Sequence, residues 1–425
     1  MAVPGLSGIV NIGNSCYMNS VLQCLSATDI LNYYFRTVSF KDELRDGVKR
    51  LVCKKTNKSD IEKNKLRMKF KESITYRLYQ LIAILWQDND SVKPDKFKRS
   101  LDLHCNKFRG FAQQDAHEFL MYILDRMHEE IKTDIAITNY MFSPQITEYM
   151  NIMDRLKKTI EETSEVSPVK SELQEQYMNL KKSNQIIDVY VNGIQYYINF
   201  LKKNHSIISD LFLGLYLSEI VCSNCNNITY SYEPFNVITL EISDSKLNLF
   251  SNLQECFNNF LTVEDIEYTC ESCKNKNISK KSLHIFYLPE KLIIHFKRFK
   301  CVNGRSCKLN NTIDFPLDNL YINSISDINS SEKNPYELYS IVHHNGTSNG
   351  GHYIASTKNP INNAWYNFND SSVSKTKASN IVDNSAYMIF YQRKRIDKYL
   401  IEDSTVKTIV DSCDGSDSWD IDSLR

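Results

Sequence analysis

The sequence predicts an α+β chain with helices first and strands after, and three observations carry that reading. In the first half, apolar residues recur at helical spacing: Tyr17, Met18, Val21, Leu22 and Leu25, then Leu78, Leu81, Ile82 and Leu85, then Phe119, Leu120, Ile123, Leu124 and Met127. From Leu217 onward the pattern changes to short β-branched, apolar runs such as Val237–Ile242 and Lys291–Phe296, which suit buried strands. Two cysteine pairs, Cys222-x-x-Cys225 and Cys270-x-x-Cys273, lie inside the strand-rich half.

Taken in order, the elements follow from local signals. Asn11-Ile12-Gly13-Asn14-Ser15 is a turn of the kind that opens a helix, and the apolar-periodic run from Cys16 supplies that helix. Asp29–Phe40 continues the helical region, rich in Tyr and Phe. Lys41–Lys69 is strongly basic, but acidic residues are interspersed, so it reads as a solvated helix and loop. Ile74–Trp86 is a helix, and Lys93-Pro94-Asp95 starts another with proline in the first turn. Gln113–Glu130 is amphipathic, its Asp115 placed for N-terminal capping; His117 and His128 on it have no metal-ligand company and read as ordinary helix residues. Thr133–Ile187 reads as an inserted helical hairpin around Val166-Ser167-Pro168, or a partly disordered insert. A helix follows in Tyr196–Leu217. Strands lie in Leu217–Ile242 and Ile278–Phe299, with a short helix at Asn252–Phe260 between them. Val302–Asn311 is a hairpin-like turn. Tyr336–His343, Tyr353–Thr357, Trp365–Phe368 and Tyr387–Gln392 are the last strands, and Lys394–Arg425 is a polar tail. The expected division is 1–135, 136–190 as a divergent helical insertion, 191–395, and a tail at 396–425.

Composition bounds the function. With 425 residues, 42% hydrophobic, and zero formal charge, the chain can bury a large core and has no overall charge that would draw it to nucleic acid. No stretch approaches the roughly 20 apolar residues of a membrane span, and the start has no basic and apolar regions of a secretion signal. Twelve cysteines in so long a chain do not make a disulfide scaffold, which points to a reducing compartment, cytoplasm or nucleus.

Three stretches carry chemistry together. Cys16 at a helix N-terminus is expected to have a lowered pKa, because the macrodipole favours the thiolate. His352 stands where the Gly-rich loop Asn345–Gly351 runs into a strand-like segment. Asn369 and Asp370 follow on another aromatic strand and are adjacent, so on an extended backbone they point to opposite faces. Phe368 belongs inside, which leaves Asn369 to orient His352 and Asp370 to support the site. Cys, then His, then Asn or Asp is the order of papain-type thiol proteases. The four CxxC thiols match a closed, structural zinc site, against the alternatives of two disulfides or four free thiols; the long stretch between the pairs implies a zinc knot at the tip of a β extension. Cys256, Cys301 and Cys307 lack such pairing.

The chain resembles the ubiquitin-specific proteases. The residues that carry the resemblance are GIVNIGNSCYMNSVLQCL (Gly8–Leu25), QQDAHEFLMYILDRMHEE (Gln113–Glu130), the two CxxC pairs, LPEKLIIHFKRF (Leu288–Phe299), and GGHYIA followed by WYNFNDSSV, in that order. The resemblance implies a papain-like cysteine protease with a helical thumb, a β-sheet palm and zinc-tipped β fingers. It implies cleavage after the C-terminal glycine of ubiquitin, with Cys16 as nucleophile, His352 as base, Asn369 as orienter and Asn11 as oxyanion donor. It further implies that Asp115 contacts the basic residue of ubiquitin's tail, that Gly350 and Gly351 close over a glycine tail, and that Phe299 gives an apolar contact. Ubiquitin and its conjugates are the expected partners of a monomer, with no nucleic acid or membrane. The alternatives are a related ubiquitin-like substrate, or a non-catalytic ubiquitin-binding scaffold.

Overall fold

The computed structural model describes residues 3–56, 63–87, 90–137, 142–165, 167–242, 250–302, 305–326, 335–347 and 350–394. The expected tail beyond residue 394, Val166 of the insert, and positions 303–304 and 348–349 lie outside them.

The helices are α1 (Cys16–Ser26), α2 (Asp29–Phe35), α3 (Val38–Thr56), α4 (Lys63–Glu72), α5 (Ile74–Leu85), α6 (Asp95–His104), α7 (Ala116–Ile131), α8 (Pro144–Glu162), α9 (Pro168–Ser183), α10 (Gln185–Lys203), α11 (Ile207–Phe212) and α12 (Leu253–Phe260). The strands are β1 (Gly214–Val221), β2 (Ile228–Phe235), β3 (Ile238–Glu241), β4 (Phe250–Asn252), β5 (Glu264–Thr269), β6 (Lys276–Tyr287), β7 (Lys291–Lys297), β8 (Phe299–Val302), β9 (Arg305–Lys308), β10 (Thr312–Asp314), β11 (Tyr336–Thr347), β12 (Gly350–Lys358), β13 (Trp365–Asn369), β14 (Ser372–Thr376) and β15 (Ala386–Arg393).

Helix α1 is the centre of the thumb, and every one of its residues is buried. Val21, Leu22 and Leu25 join Phe119, Leu120 and Ile123 of α7 and Val342, Tyr353 and Ala355 of the palm in one core. Each such side chain contributes about 1.5–3 kcal/mol by leaving water. Glu130 of α7 is fully buried, yet its carboxylate accepts from Ile74 N at 3.3 Å, Thr75 N at 2.8 Å, Thr75 Oγ1 at 2.7 Å and Arg126 Nε at 2.7 Å. That set of donors compensates its desolvation and ties α7 to the start of α5.

The palm is a seven-stranded sheet in the order β14-β13-β12-β11-β15-β7-β3, antiparallel except for the β3–β7 pair. Alternate residues serve two cores. Ile293, Met388 and Phe390 face the thumb; Leu292, Ile294, Ile389 and Tyr391 face a second core completed by Leu253 and Phe257 of α12. Burial on both faces explains the continuous apolar runs seen in the sequence.

The fingers are the four-stranded sheet β2-β1-β6-β5. Helix α10 covers one face of it, packing Val189, Ile194 and Ile198 on Leu215, Leu217 and Phe286. A Cβ on Gly193 would overlap the Phe286 ring, so only glycine lets the helix come this close.

Several boundaries differ from the sequence reading. Helix α7 begins at Ala116, because Asp115 Oδ1 caps it by accepting from Glu118 N at 2.9 Å, and Gln113 and Gln114 stay outside. Pro94 is the N-cap of α6, one place before the first turn. The hairpin expected in the insert corresponds to α8 and α9, but the expected boundary at 190 falls inside α10.

Candidate active site and metal centre

The site starts from the turn before α1. Asn11 Oδ1 accepts from Gly13 N at 3.0 Å and Ser15 N at 3.2 Å, and Asn14 adopts a left-handed φ of 50° that asparagine tolerates. The turn delivers Cys16 as the first residue of α1. Its residue is 3% exposed. Burial raises the thiol pKa, and the carboxylate of Asp370 adds to this; the nearby amides of Tyr353 and Tyr17 act in the opposite sense and do not overcome it. The expected lowering by the helix terminus is therefore corrected: desolvation of a charge in a closed site outweighs the dipole.

His352 stands on β12, opposite Asn345 of β11 and next to Tyr353, whose backbone borders the Cys16 sulfur. Its Nε2 lies 2.6 Å from Asn369 Oδ1. An amide oxygen only accepts, so Nε2 carries a hydrogen towards it and Nδ1 is the nitrogen turned away from Asn369. Asn369 is the last residue of β13, and Phe368 beside it is packed in the core. Asp370 has left the strand with a φ of 52°, so strand alternation no longer governs it. Its Oδ2 accepts from Asn11 Nδ2 at 2.9 Å and its Oδ1 from Asn19 Nδ2 at 2.7 Å, while Oδ2 stays 3.9 Å from His352 Nε2. Asn369 thus holds the imidazole, and Asp370 holds the two asparagines of the thumb. Asn11 spends one amide hydrogen on Asp370 and has a second one free.

The remaining residues read from the sequence lie between α7 and the palm. Asp115 uses its second carboxylate oxygen to accept from the Tyr387 hydroxyl. Phe299 meets His344 edge-on at 5.2 Å and tilts against Tyr387 at 5.8 Å. Gly350 and Gly351 begin β12, and Gln113 Nε2 reaches across to Gly351 O at 2.9 Å. A Cβ on Gly351 would overlap the His344 ring, so this glycine is required by its neighbour in the sheet as well as by any ligand.

Sequence reasoning passed over Asn19, Gln113, Tyr387 and His295. Asn19 carried only a weak signal: it lies one turn after Cys16, but Ser20, Gln23 and Ser26 are polar residues of the same buried helix. Among the described residues His117 joins no metal-ligand cluster; its ring stacks on His295 at 4.0 Å and 8°, and burial lowers the pKa of both.

At the fingertip, Cys222, Cys225, Cys270 and Cys273 bring their sulfurs within 4.8 Å of one another, and none is in a disulfide. The Cys222–Cys273 and Cys225–Cys270 separations are 3.9 and 3.7 Å. Sulfurs about 2.3 Å from a tetrahedral zinc stand about 3.8 Å apart, so the cage fits a metal of that size. Each CxxC forms the same tight turn, with Asn226 and Lys274 at φ of 57° and 59°. Asn277 and Asn224 point side-chain N–H groups at Cys222 and Cys273, which lowers the pKa of both thiols.

A helix-borne thiol against the strand that carries an amide-bound imidazole, on an α+β frame, has the layout of a class, the cysteine-type hydrolases. The family profile described as ubiquitin carboxyl-terminal hydrolase matches residues 7–391. Ubiquitin carboxyl-terminal hydrolase 2 of Bos taurus is 30% identical over 396 residues, covering 91% of this chain and 55% of that protein. The Gallus gallus protein of that name is 30% identical over 397 residues, covering 92% and 94%. Probable ubiquitin carboxyl-terminal hydrolase R319 of Acanthamoeba polyphaga mimivirus is 26% identical, covering 92% and 90%. Among solved structures, one described as the SAGA Ubp8/Sgf11/Sus1/Sgf73 DUB module bound to ubiquitin aldehyde shares the fold with a TM-score of 0.59 at 23% identity, covering 93% of this chain and 71% of that one. The chain belongs to the ubiquitin carboxyl-terminal hydrolase family. It spans about half the length of the mammalian relatives it matches. Among the described residues, no helix is long and apolar enough to cross a membrane.

Proposed function

We propose that this chain is a cysteine-type deubiquitinase that hydrolyses the bond after the C-terminal glycine of ubiquitin on conjugates or chains. The observation that carries the reading is the 2.6 Å contact of His352 Nε2 with Asn369 Oδ1, which fixes the tautomer with Nδ1 as base on the strand next to Cys16. In the resting site the buried thiol is neutral. His352 Nδ1 takes the thiol proton as the sulfur attacks the carbonyl, and the imidazolium then protonates the leaving amine. Asn369 stabilises that imidazolium through its carbonyl oxygen. The free hydrogen of Asn11, with backbone N–H groups at the start of α1, faces the developing oxyanion. Asp115, Phe299, Gly350 and Gly351 form the wall along which a glycine tail would lie, with Asp115 opposite a basic tail residue.

Support for ubiquitin as the substrate comes from family membership and from structural neighbours described as bound to monoubiquitin and to ubiquitin aldehyde. The four fingertip thiolates would hold a structural zinc, closed to further ligands, that fixes the finger sheet. We take a reducing compartment, cytoplasm or nucleus, as the location, and a monomer as the working form. The test is hydrolysis of a C-terminal ubiquitin amide reporter by the wild type and by Cys16→Ala. Turnover by the wild type alone is the expected result. Turnover by both variants would move the nucleophile elsewhere, and turnover of a ubiquitin-like reporter in preference to ubiquitin would change the substrate.

A further inference from the structure

The sheet face that carries His352 and Asn369 also carries a row of polar side chains running into the protein. Alternation places His343 of β11, His352, Ile354 and Ser356 of β12, and Asn367 and Asn369 of β13 on that face. His343 is registered against Ile354, and Ser356 against Asn367. His343 Nδ1 lies 3.0 Å from Ser385 Oγ, and Nε2 lies 2.8 Å from Ser356 Oγ. Ser385 Oγ donates to Asp383 Oδ1 at 2.5 Å, and Ser356 Oγ donates to Asn367 Oδ1 at 2.8 Å. His343, Ser385 and Ser356 are all buried.

The ring is held at both nitrogens, by Ser385 on one side and Ser356 on the other. Asp383 Oδ1 also lies 3.4 Å from Nδ1. Against the desolvation that would raise it, hydrogen bonds from His343 and Ser385 hold the Asp383 carboxyl down to about 2. Arg298 and Lys308 also feel Asp383, and Arg298 is bound to the carbonyls of Ala386, Leu309 and Asn311.

We propose that His343 is a positioning residue: hydrogen-bonded in the interior beside Asp383, it fixes through Ser356 and Asn367 the strand that presents Asn369 to His352. The inference rests on the catalytic reading of Cys16, His352 and Asn369. Strand β13 has five residues and only the edge strand β14 beyond it, so a side-chain tie to β12 two residues from Asn369 bears directly on where that amide stands.

Ser356→Ala cuts the row while leaving the His343–Asp383 pair. Loss of one such hydrogen bond, about 0.5–1.5 kcal/mol, corresponds to a fall in kcat of about 3- to 10-fold on the ubiquitin amide reporter, with KM unchanged. Ser356→Thr keeps the hydroxyl and restores kcat. His343→Leu, which removes the ring's bond to Ser356, should lower kcat over the same range. The His352 Nε2 proton should exchange faster in Ser356→Ala. Full kcat in His343→Leu overturns the proposal. So does full kcat in Ser356→Ala, or a loss that Ser356→Thr fails to restore. If the wild type does not hydrolyse the reporter, the catalytic reading fails, and the exchange of the His352 Nε2 proton alone decides whether the row positions the ring.

Discussion

Replacing Asn369 separates orientation of the base from stability of the fold. Asn369→Ala removes the acceptor 2.6 Å from His352 Nε2. In the transition state the ring is an imidazolium, and a hydrogen bond to a charged partner is worth about 1.5–3 kcal/mol. That is a loss in kcat of about 10- to 150-fold. Asn369 is exposed, so stability should stay within about 0.5 kcal/mol of the wild type. Asn369→Asp keeps an acceptor and should retain most of the activity. Asp370→Ala makes the contrasting perturbation. It removes the acceptor of Asn11 Nδ2 and the shortest acceptor of Asn19 Nδ2, which keeps only the carbonyls of Ile9 and Val10 at 3.2 and 3.5 Å; Asn19 is only 2% exposed, so loss of its bond to a charged partner costs about 1.5–3 kcal/mol of stability. Turnover should fall less than in Asn369→Ala, because the imidazole keeps its own acceptor. The assay is steady-state hydrolysis of the ubiquitin amide reporter, giving kcat and KM separately, alongside urea melts. If Asp370→Ala loses more kcat than Asn369→Ala with its circular dichroism unchanged, the two roles are reversed and the geometric reasoning is wrong.

Three other outcomes are expected. Cys16→Ala should abolish hydrolysis while keeping ubiquitin affinity by calorimetry, since truncation removes the nucleophile and leaves the surface. Because burial and Asp370 raise the Cys16 thiol pKa, the thiol is neutral at pH 7, and its alkylation by iodoacetamide should keep rising with pH beyond the range of an ordinary cysteine; a plateau near neutrality would contradict this. Metal analysis of protein purified without chelator should find one zinc per chain. Cys225→Ser should lower that content and destabilise the fingers, because structural zinc contributes folding free energy directly.

What was legible in the sequence was whatever is encoded locally. The Asn11–Ser15 turn, the helix at Cys16, the two CxxC pairs and the strands Val237–Ile242 and Lys291–Phe296 each show their physics within a few residues. The burial of Cys16 does not, because it is produced by palm residues such as Tyr353 and Ala355 that arrive far along the chain. For the same reason a dipole argument made from α1 alone gave the wrong sign for its pKa. Asn19 and His343 take their meaning from partners fixed by sheet register and by the Asp370 turn. The start of α10 was hidden because Ile186, Ile187, Val189 and Val191, together with Gly193, are weak helix formers. That helix is held by packing on the finger sheet.

The junction of Asn11 and Asn19 with Asp370 joins segments 359 and 351 residues apart in the chain. Synthesis at about 5–20 residues per second leaves the Cys16 segment outside the ribosome for tens of seconds before His352, Asn369 and Asp370 are made. In the proposed mechanism the thiol until then has no base to take its proton, and the turn that carries Asn11 has no carboxylate to anchor it. On that reading the order of the chain acts as a timer: a half-made protein carries its thiol without the means to use it.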